Sequence, residues 1–182
     1  MELRPTSDRL RETLFDILQG RIEGSYFVDG YAGTGAVGIE AASRGARRVV
    51  FLEKHRASVA LIRKNLESLG IRAGVEVVAG EVCRGLATLA ARGGPADILF
   101  FDPPYAEQEE YARVLEILAD SALVAAGTMV IFERTRKMAL GAGHGPLVRR
   151  RSVEQGDAAL DFFSLADPRG SGRAVASPEI AR

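Results

Sequence analysis

The sequence predicts an α/β fold, a mostly parallel sheet covered by helices on both faces. Three observations predict it. Apolar clusters alternate between strand-like and helix-like spacing along most of the 182 residues. Asp97-Ile98-Leu99-Phe100-Phe101-Asp102 holds an unbroken apolar run, as expected of a strand buried on both sides in mid-sheet. A glycine-rich turn, Gly33-Thr34-Gly35-Ala36-Val37-Gly38, stands between a strand-like and a helix-like segment.

The elements follow in order. A first helix is predicted from Ser7 to Gln19, with Pro5, Thr6, Ser7 and Asp8 as stop and N-cap and Leu10, Leu14, Ile17 and Leu18 on one face. A strand at Tyr26–Asp29 leads through the glycine turn into a helix from Ala36 to Arg44, which stops at Gly45. Arg48–Glu53 is the second strand. The next helix carries Val59, Ile62, Leu66 and Leu69 at helical spacing and ends at Gly70. A strand at Val75–Val78, a helix near Val82–Ala91, the Asp97–Asp102 strand, a helix with Tyr111, Val114, Leu115 and Leu118, and a strand at Thr128–Phe132 complete the alternation. Pro146–Ser152 and Ala158–Leu165 have no helix between them, only Gln155-Gly156-Asp157, so they are predicted to pair antiparallel. One domain, residues 1–165, is expected, with a disordered tail at 166–182 made almost wholly of Gly, Ser, Pro, Ala and charged residues.

Bulk composition excludes several classes. The lone cysteine, Cys83, cannot form an internal disulfide and is expected to be a buried small hydrophobe. No apolar run approaches the roughly 20 residues that cross a bilayer, and the first five residues, Met1-Glu2-Leu3-Arg4-Pro5, do not form a signal peptide. A cytoplasmic monomer without a metal is the expectation. Basic and acidic residues balance at 24 each, unlike a generally basic nucleic-acid coat protein. Nucleic-acid contact would then depend on local clusters: Arg44/Arg47/Arg48, Arg134/Arg136/Lys137 and Arg149-Arg150-Arg151.

The glycine turn satisfies G-x-G-x-x-G, and Glu53 closes the next strand, where a carboxylate can accept both hydroxyls of a ribose. Taken alone, this is a dinucleotide fingerprint. The turn, however, opens with an acid: Asp29-Gly30-Tyr31-Ala32-Gly33-Thr34-Gly35. A pyrophosphate needs a helix N-terminus clear of negative charge, whereas S-adenosylmethionine carries a sulfonium and an ammonium that a carboxylate favours. Asp29, Gly30, Ala32, Gly33, Gly35 and Glu53 with its neighbour Lys54 are therefore candidate cofactor contacts. Glu81 with Val82, after the third strand, is the candidate for the adenine.

Asp102-Pro103-Pro104-Tyr105 is the most specific signal. In open α/β sheets ligands bind beyond the carboxyl ends of the strands, so Asp102 is expected to face the cofactor as well. An exocyclic amino group on a base is a poor nucleophile because its lone pair is delocalised into the ring. Asp102 and the rigid Pro103 carbonyl can accept its two N–H bonds and favour pyramidalisation. Pro104 stiffens the segment, and Tyr105 offers a ring for stacking, worth about 1–3 kcal/mol per base. The base must leave its own stack to enter.

Leu3-Arg4-Pro5-Thr6-Ser7-Asp8-Arg9, then Glu12-Thr13-Leu14-Phe15, Asp29 to Ala41 and Asp102-Pro103-Pro104-Tyr105 together resemble the RsmD-type methyltransferases, bacterial 16S rRNA guanine-N2 methyltransferases. The likeness covers roughly residues 3 to 165. It implies a Rossmann-like class I methyltransferase fold with a seven-stranded sheet and an antiparallel final hairpin. It implies S-adenosylmethionine as methyl donor and ribosomal RNA in a small-subunit particle as substrate. It places Pro5, Thr6 and Arg9 near the methionine end of the cofactor. Members of that family usually carry a basic N-terminal extension with a β-hairpin ahead of the Arg-Pro-Thr segment, whereas this sequence opens almost at that segment. Glu81 also stands where an aspartate is common. Competing readings are a DNA adenine-N6, protein glutamine or small-molecule N-methyltransferase, a non-catalytic cofactor- or RNA-binding protein, and a nicotinamide dehydrogenase.

Overall fold

The computed structural model describes residues 5–104 and 108–166, with backbone alone for 5–7 and 108. Its elements are α1 (Pro5–Ile17), β1 (Tyr26–Gly30), α2 (Ala36–Ser43), β2 (Arg48–Glu53), α3 (Arg56–Ser68), β3 (Val75–Ala79), α4 (Val82–Arg92), β4 (Ile98–Phe101), α5 (Gln108–Ala119), β5 (Met129–Thr135), β6 (Gly143–His144), β7 (Leu147–Gln155) and β8 (Ala158–Leu165). They build one sheet in the order β3-β2-β1-β4-β5-β8-β7-β6. The first five strands are parallel, and β8, β7 and β6 are antiparallel to their neighbours. Seven strands carry the architecture, and the two-residue β6 adds an eighth at the edge.

Side chains alternate across a strand, and the core divides accordingly. Val28, Val50, Leu52, Leu99, Phe101, Val130 and Phe132 face α4 and α5, meeting Val82, Leu86, Leu89, Tyr111, Val114 and Leu118. Phe27, Val49, Phe51, Ile98, Phe100 and Ile131 face the other way, onto Leu10, Leu14 and Phe15 of α1, Leu18 just after it, Ala41 of α2 and Ile62 and Leu66 of α3. Both faces of β1, β2 and β4 are thus covered, which is why these strands read as near-continuous apolar runs.

Boundaries differ from the sequence reading where tertiary pairing intervenes. α1 begins at Pro5 rather than Ser7, since proline suits a first helical turn, and it ends at Ile17, two residues short of Gln19. Leu69 is not on the buried face of α3: it is the C-cap, 61% exposed, because the helix stops at Ser68. β4 is trimmed of both aspartates. β5 runs on to Thr135 and β7 to Gln155 because β8 pairs with Glu133–Thr135 on one side and Val153–Gln155 on the other. Cys83 is half-buried rather than buried, and desolvation is the main reason its thiol pKa is raised, with Glu110 adding to the effect. The tail predicted to be disordered lies, apart from Ala166, outside the described residues. None of the described helices is long and apolar enough to cross a membrane.

Candidate active site

Parity and register assemble the site. In β1, Phe27 and Asp29 point to the α1–α3 face, and Asp29 lies level with Phe51 of β2 and Phe100 of β4. Two residues further along those strands, on the same face by alternation, stand Glu53 and Asp102. Phe101 pairs with Phe132, so Glu133 of β5 is level with Asp102. Four carboxylates, three on β1, β2 and β5 and Asp102 just after β4, therefore gather at the carboxyl edge of the sheet. Asp97, by contrast, lies at the amino edge, where it accepts the Tyr26 N–H at 2.7 Å.

Each acid is held differently. Asp29 is 2% exposed, and its Oδ2 accepts the Gly38 N–H at 2.8 Å. Burial outweighs that hydrogen bond, and the nearby Glu53 charge adds to it, so the pKa rises from its ordinary 3.8 to about 8. Asp102 is pushed well above the usual carboxylate range by burial, then by the charges of Glu133 and Asp29. Glu53 is also buried. Its Oε2 accepts the Gly33 N–H at 2.8 Å and its Oε1 the His55 N–H at 2.7 Å. It therefore braces the glycine turn from the neighbouring strand, and each oxygen keeps lone-pair capacity for a further donor.

The turn is packed as tightly as its glycines suggest. A Cβ at Gly30 would overlap the Phe101 ring, and one at Gly38 would overlap the Phe51 ring. Gly33 and Gly35 have φ of 54° and 78°, which glycine adopts without strain. The Ala32 N–H donates to Leu52 O, and Asn65 Nδ2 donates to Thr34 O, fastening the turn to β2 and α3.

Beside it lies a pocket of about 180 Å³ lined by Tyr31, Glu53, Lys54, His55, Asp102, Pro103 and Pro104. The glycine turn and the Asp102-Pro103-Pro104 segment, seventy residues apart in sequence, thus share one cavity. A sequence model of the family described as Conserved hypothetical protein 95 matches residues 1–164. Ribosomal RNA small subunit methyltransferase D of Escherichia coli (strain K12) is 41% identical over 127 residues, which is 67% of this chain and 62% of that protein. Its counterpart from Buchnera aphidicola (subsp. Acyrthosiphon pisum) is 33% identical over 138 residues, 76% of this chain and 70% of that protein. The chain belongs to the RsmD family. The solved structure of yhhF from Escherichia coli superposes with a TM-score of 0.77 at 30% identity, covering 90% of this chain and 88% of that one. The RsmD-family chain has the class I methyltransferase fold, with the antiparallel hairpin at its carboxyl end.

Not every residue singled out from sequence falls in the pocket of this RsmD-family member. Glu81 is exposed at the N-cap of α4, one strand beyond Glu53, and Val82 is 2% exposed with its side chain in the core. Thr6 is in the first turn of α1 with its side chain outside the described residues, and Tyr105 lies outside them altogether. Each of the three basic clusters has at least one arginine tied into the fold. Arg134 is 4% exposed and pairs with Asp161 at 2.7 Å, while donating to Met138 O and Ser152 Oγ. Arg149 also reaches Asp161, and Arg44 and Arg48 lie over the rings of Phe15 and Tyr26.

Conversely, sequence reasoning passed over Tyr31, His55, Glu133 and Tyr111. Glu133 was legible in principle, since strand parity places it level with Asp102 once β5 is known to pair with β4. Tyr111 is fully buried and its hydroxyl donates to Glu133 O at 3.1 Å, with Pro103 O 3.4 Å away. Burial and the charges of Asp102 and Glu133 raise its pKa. Helical spacing marked it as a core residue only.

Proposed function

We propose that this chain transfers a methyl group from S-adenosylmethionine to the exocyclic N2 of a guanine in 16S ribosomal RNA, in a small-subunit particle. The observation that carries the reading is the row of carboxylates at the carboxyl edge, two of which, Glu53 and Asp102, line one pocket with Pro103. Such a row suits a cationic donor and repels a pyrophosphate. The donor fits these residues: its sulfonium and ammonium would bring the raised pKa values of Asp29 and Asp102 back down and favour their ionised forms, and Glu53 keeps acceptor capacity for ribose hydroxyls. Gly33, Gly35 and Ala32 let backbone approach. When bound, the donor supplies an activated methyl group.

The protein's own part is positioning and proton handling. Asp102 and the Pro103 carbonyl accept the N–H bonds of the target amine and orient its lone pair. A bound cationic donor favours the ionised form of Asp102, and in that form it can take the proton released as the amine becomes methylated. Pro104 keeps the segment rigid, and Tyr105 provides the stacking face. Most of the rate gain comes from alignment. The family relatives bear the name ribosomal RNA small subunit methyltransferase D, which supports RNA over DNA as substrate. Residues 1–165 acting as a single cytoplasmic, monomeric domain complete the proposal.

Labelled-methyl transfer to small-subunit particles tests it. Wild-type protein should label the RNA at guanine N2. Asp102→Ala should lose transfer yet still bind the donor, more weakly, through Glu53 and the glycine turn. Label on DNA or protein instead, or loss of donor binding in the variant with its fold intact, would refute the assignment.

A further inference from the structure

Tyr31 is the one residue other than glycine with a positive φ, 59°, among the described residues. That region crowds a Cβ against the backbone and is rarely occupied by bulky side chains. Glycine would take it at no steric cost, so the turn itself does not call for tyrosine. The side chain has to account for its presence.

The left-handed φ has a visible consequence. Had the strand alternation continued, Tyr31 would follow Phe27 and Asp29 onto the α1–α3 face. Instead its ring packs with the cluster on the opposite face, under α4 and α5. The ring therefore passes over the carboxyl edge of the sheet, and it lines the pocket between Glu53 on β2 and Asp102-Pro103-Pro104 after β4. Its hydroxyl donates to Glu110 Oε2 at 2.8 Å. Glu110 is only 15% exposed, and its other oxygen accepts from Arg113 Nη1 at 2.8 Å. Arg113 neutralises Glu110, so that carboxylate serves as a fixed acceptor rather than enlarging the acidic row. Glu110 sits in the first turns of α5, the helix that follows the Asp102-Pro103-Pro104 segment.

We propose that Tyr31 is a ligand-contacting residue of the methyl-transfer pocket, and that Glu110 is a positioning residue. Through the Tyr31 hydroxyl, Glu110 ties the donor-side turn to the acceptor-side helix. The proposal rests on the methyltransferase reading above. The ring forms the wall shared by donor and target base, and the hydrogen bond holds it at the angle that lets both approach.

The test uses Tyr31→Phe, Glu110→Leu, their double variant and Tyr31→Ala in the full chain. Donor affinity is measured by calorimetry with S-adenosylmethionine, and kcat and KM on small-subunit particles. Tyr31→Phe and Glu110→Leu should each lower kcat roughly 5- to 10-fold, the worth of one ordinary hydrogen bond. KM and thermal midpoint should stay close to wild type, and the double variant should fall no further than either single one. Tyr31→Ala should weaken donor binding at least tenfold. Additive losses in the double variant would overturn the positioning role of Glu110. Wild-type donor affinity and turnover in Tyr31→Ala would overturn the role of the ring. A wild-type protein that neither binds the donor nor transfers methyl would instead sink the methyltransferase reading, and is told apart by that control.

Discussion

Replacing Asp29 by asparagine should flatten the pH dependence of folding stability by about one proton. The folded chain holds the Asp29 proton up to about pH 8, whereas an unfolded chain releases it near 3.8. Between those values the folded state binds more protons, so raising the pH disfavours folding. This contribution is fully present below the unfolded pKa and is lost as pH climbs through about 8. One proton corresponds to about 1.4 kcal/mol per pH unit, and the whole displacement to roughly 6 kcal/mol. For a domain of this size, about 2–4 °C of melting temperature accompany each kcal/mol, so Asp29 alone should contribute roughly 3–6 °C per pH unit. Asparagine preserves shape and can still accept the Gly38 N–H through Oδ1, but it has no proton to lose. The assay is thermal or urea unfolding of wild type and Asp29→Asn from pH 5 to 8.5. Asp102, raised in the same direction, should leave the variant a residual slope. Parallel curves for the two proteins, or a wild type whose stability rises over this range, would refute the reasoning.

Two further substitutions probe the scaffold. Gly38→Ala places a methyl group in the Phe51 ring and 3.0 Å from Asp29 Oδ2, so overpacking should cost about 1–3 kcal/mol in urea unfolding. No loss there would mean that α2 can retreat from β2. Asp161→Ala strands the buried Arg134 guanidinium and should cost about 3–5 kcal/mol. Arg136→Ala breaks only an exposed pair with Glu154 and should cost under about 1 kcal/mol. Similar midpoints for these two variants would contradict the burial argument.

Strand and helix order was legible because each central strand is buried on both faces and each helix on one. That makes Ile98–Phe101 continuously apolar and spaces Val59, Ile62 and Leu66 by helical turns. Element ends were less so. Whether β5 stops at Phe132 or Thr135 depends on β8, where Ala158–Leu160 offer partners far along the chain. Charge was the least legible property. Arg134 reads as one member of a basic cluster, yet it is a buried ion-pair partner, since nothing local announces Asp161 beneath it.

Composition and pattern alone determined the α/β class, the glycine turn with its opening acid, and the Asp102-Pro103-Pro104 segment, because backbone geometry and local chemistry demand particular residues there. Only the tertiary structure decided which acids meet. Register between strands far apart in the chain sets Asp29, Glu53, Asp102 and Glu133 in one row, and mutual burial then raises the pKa of Asp29 and Asp102. It also decided the course of Tyr31, whose backbone conformation carries its ring across the edge of the sheet to Glu110. Such relations are non-local: they arise from hydrogen-bonded pairing and shared desolvation, and no window of sequence contains both partners.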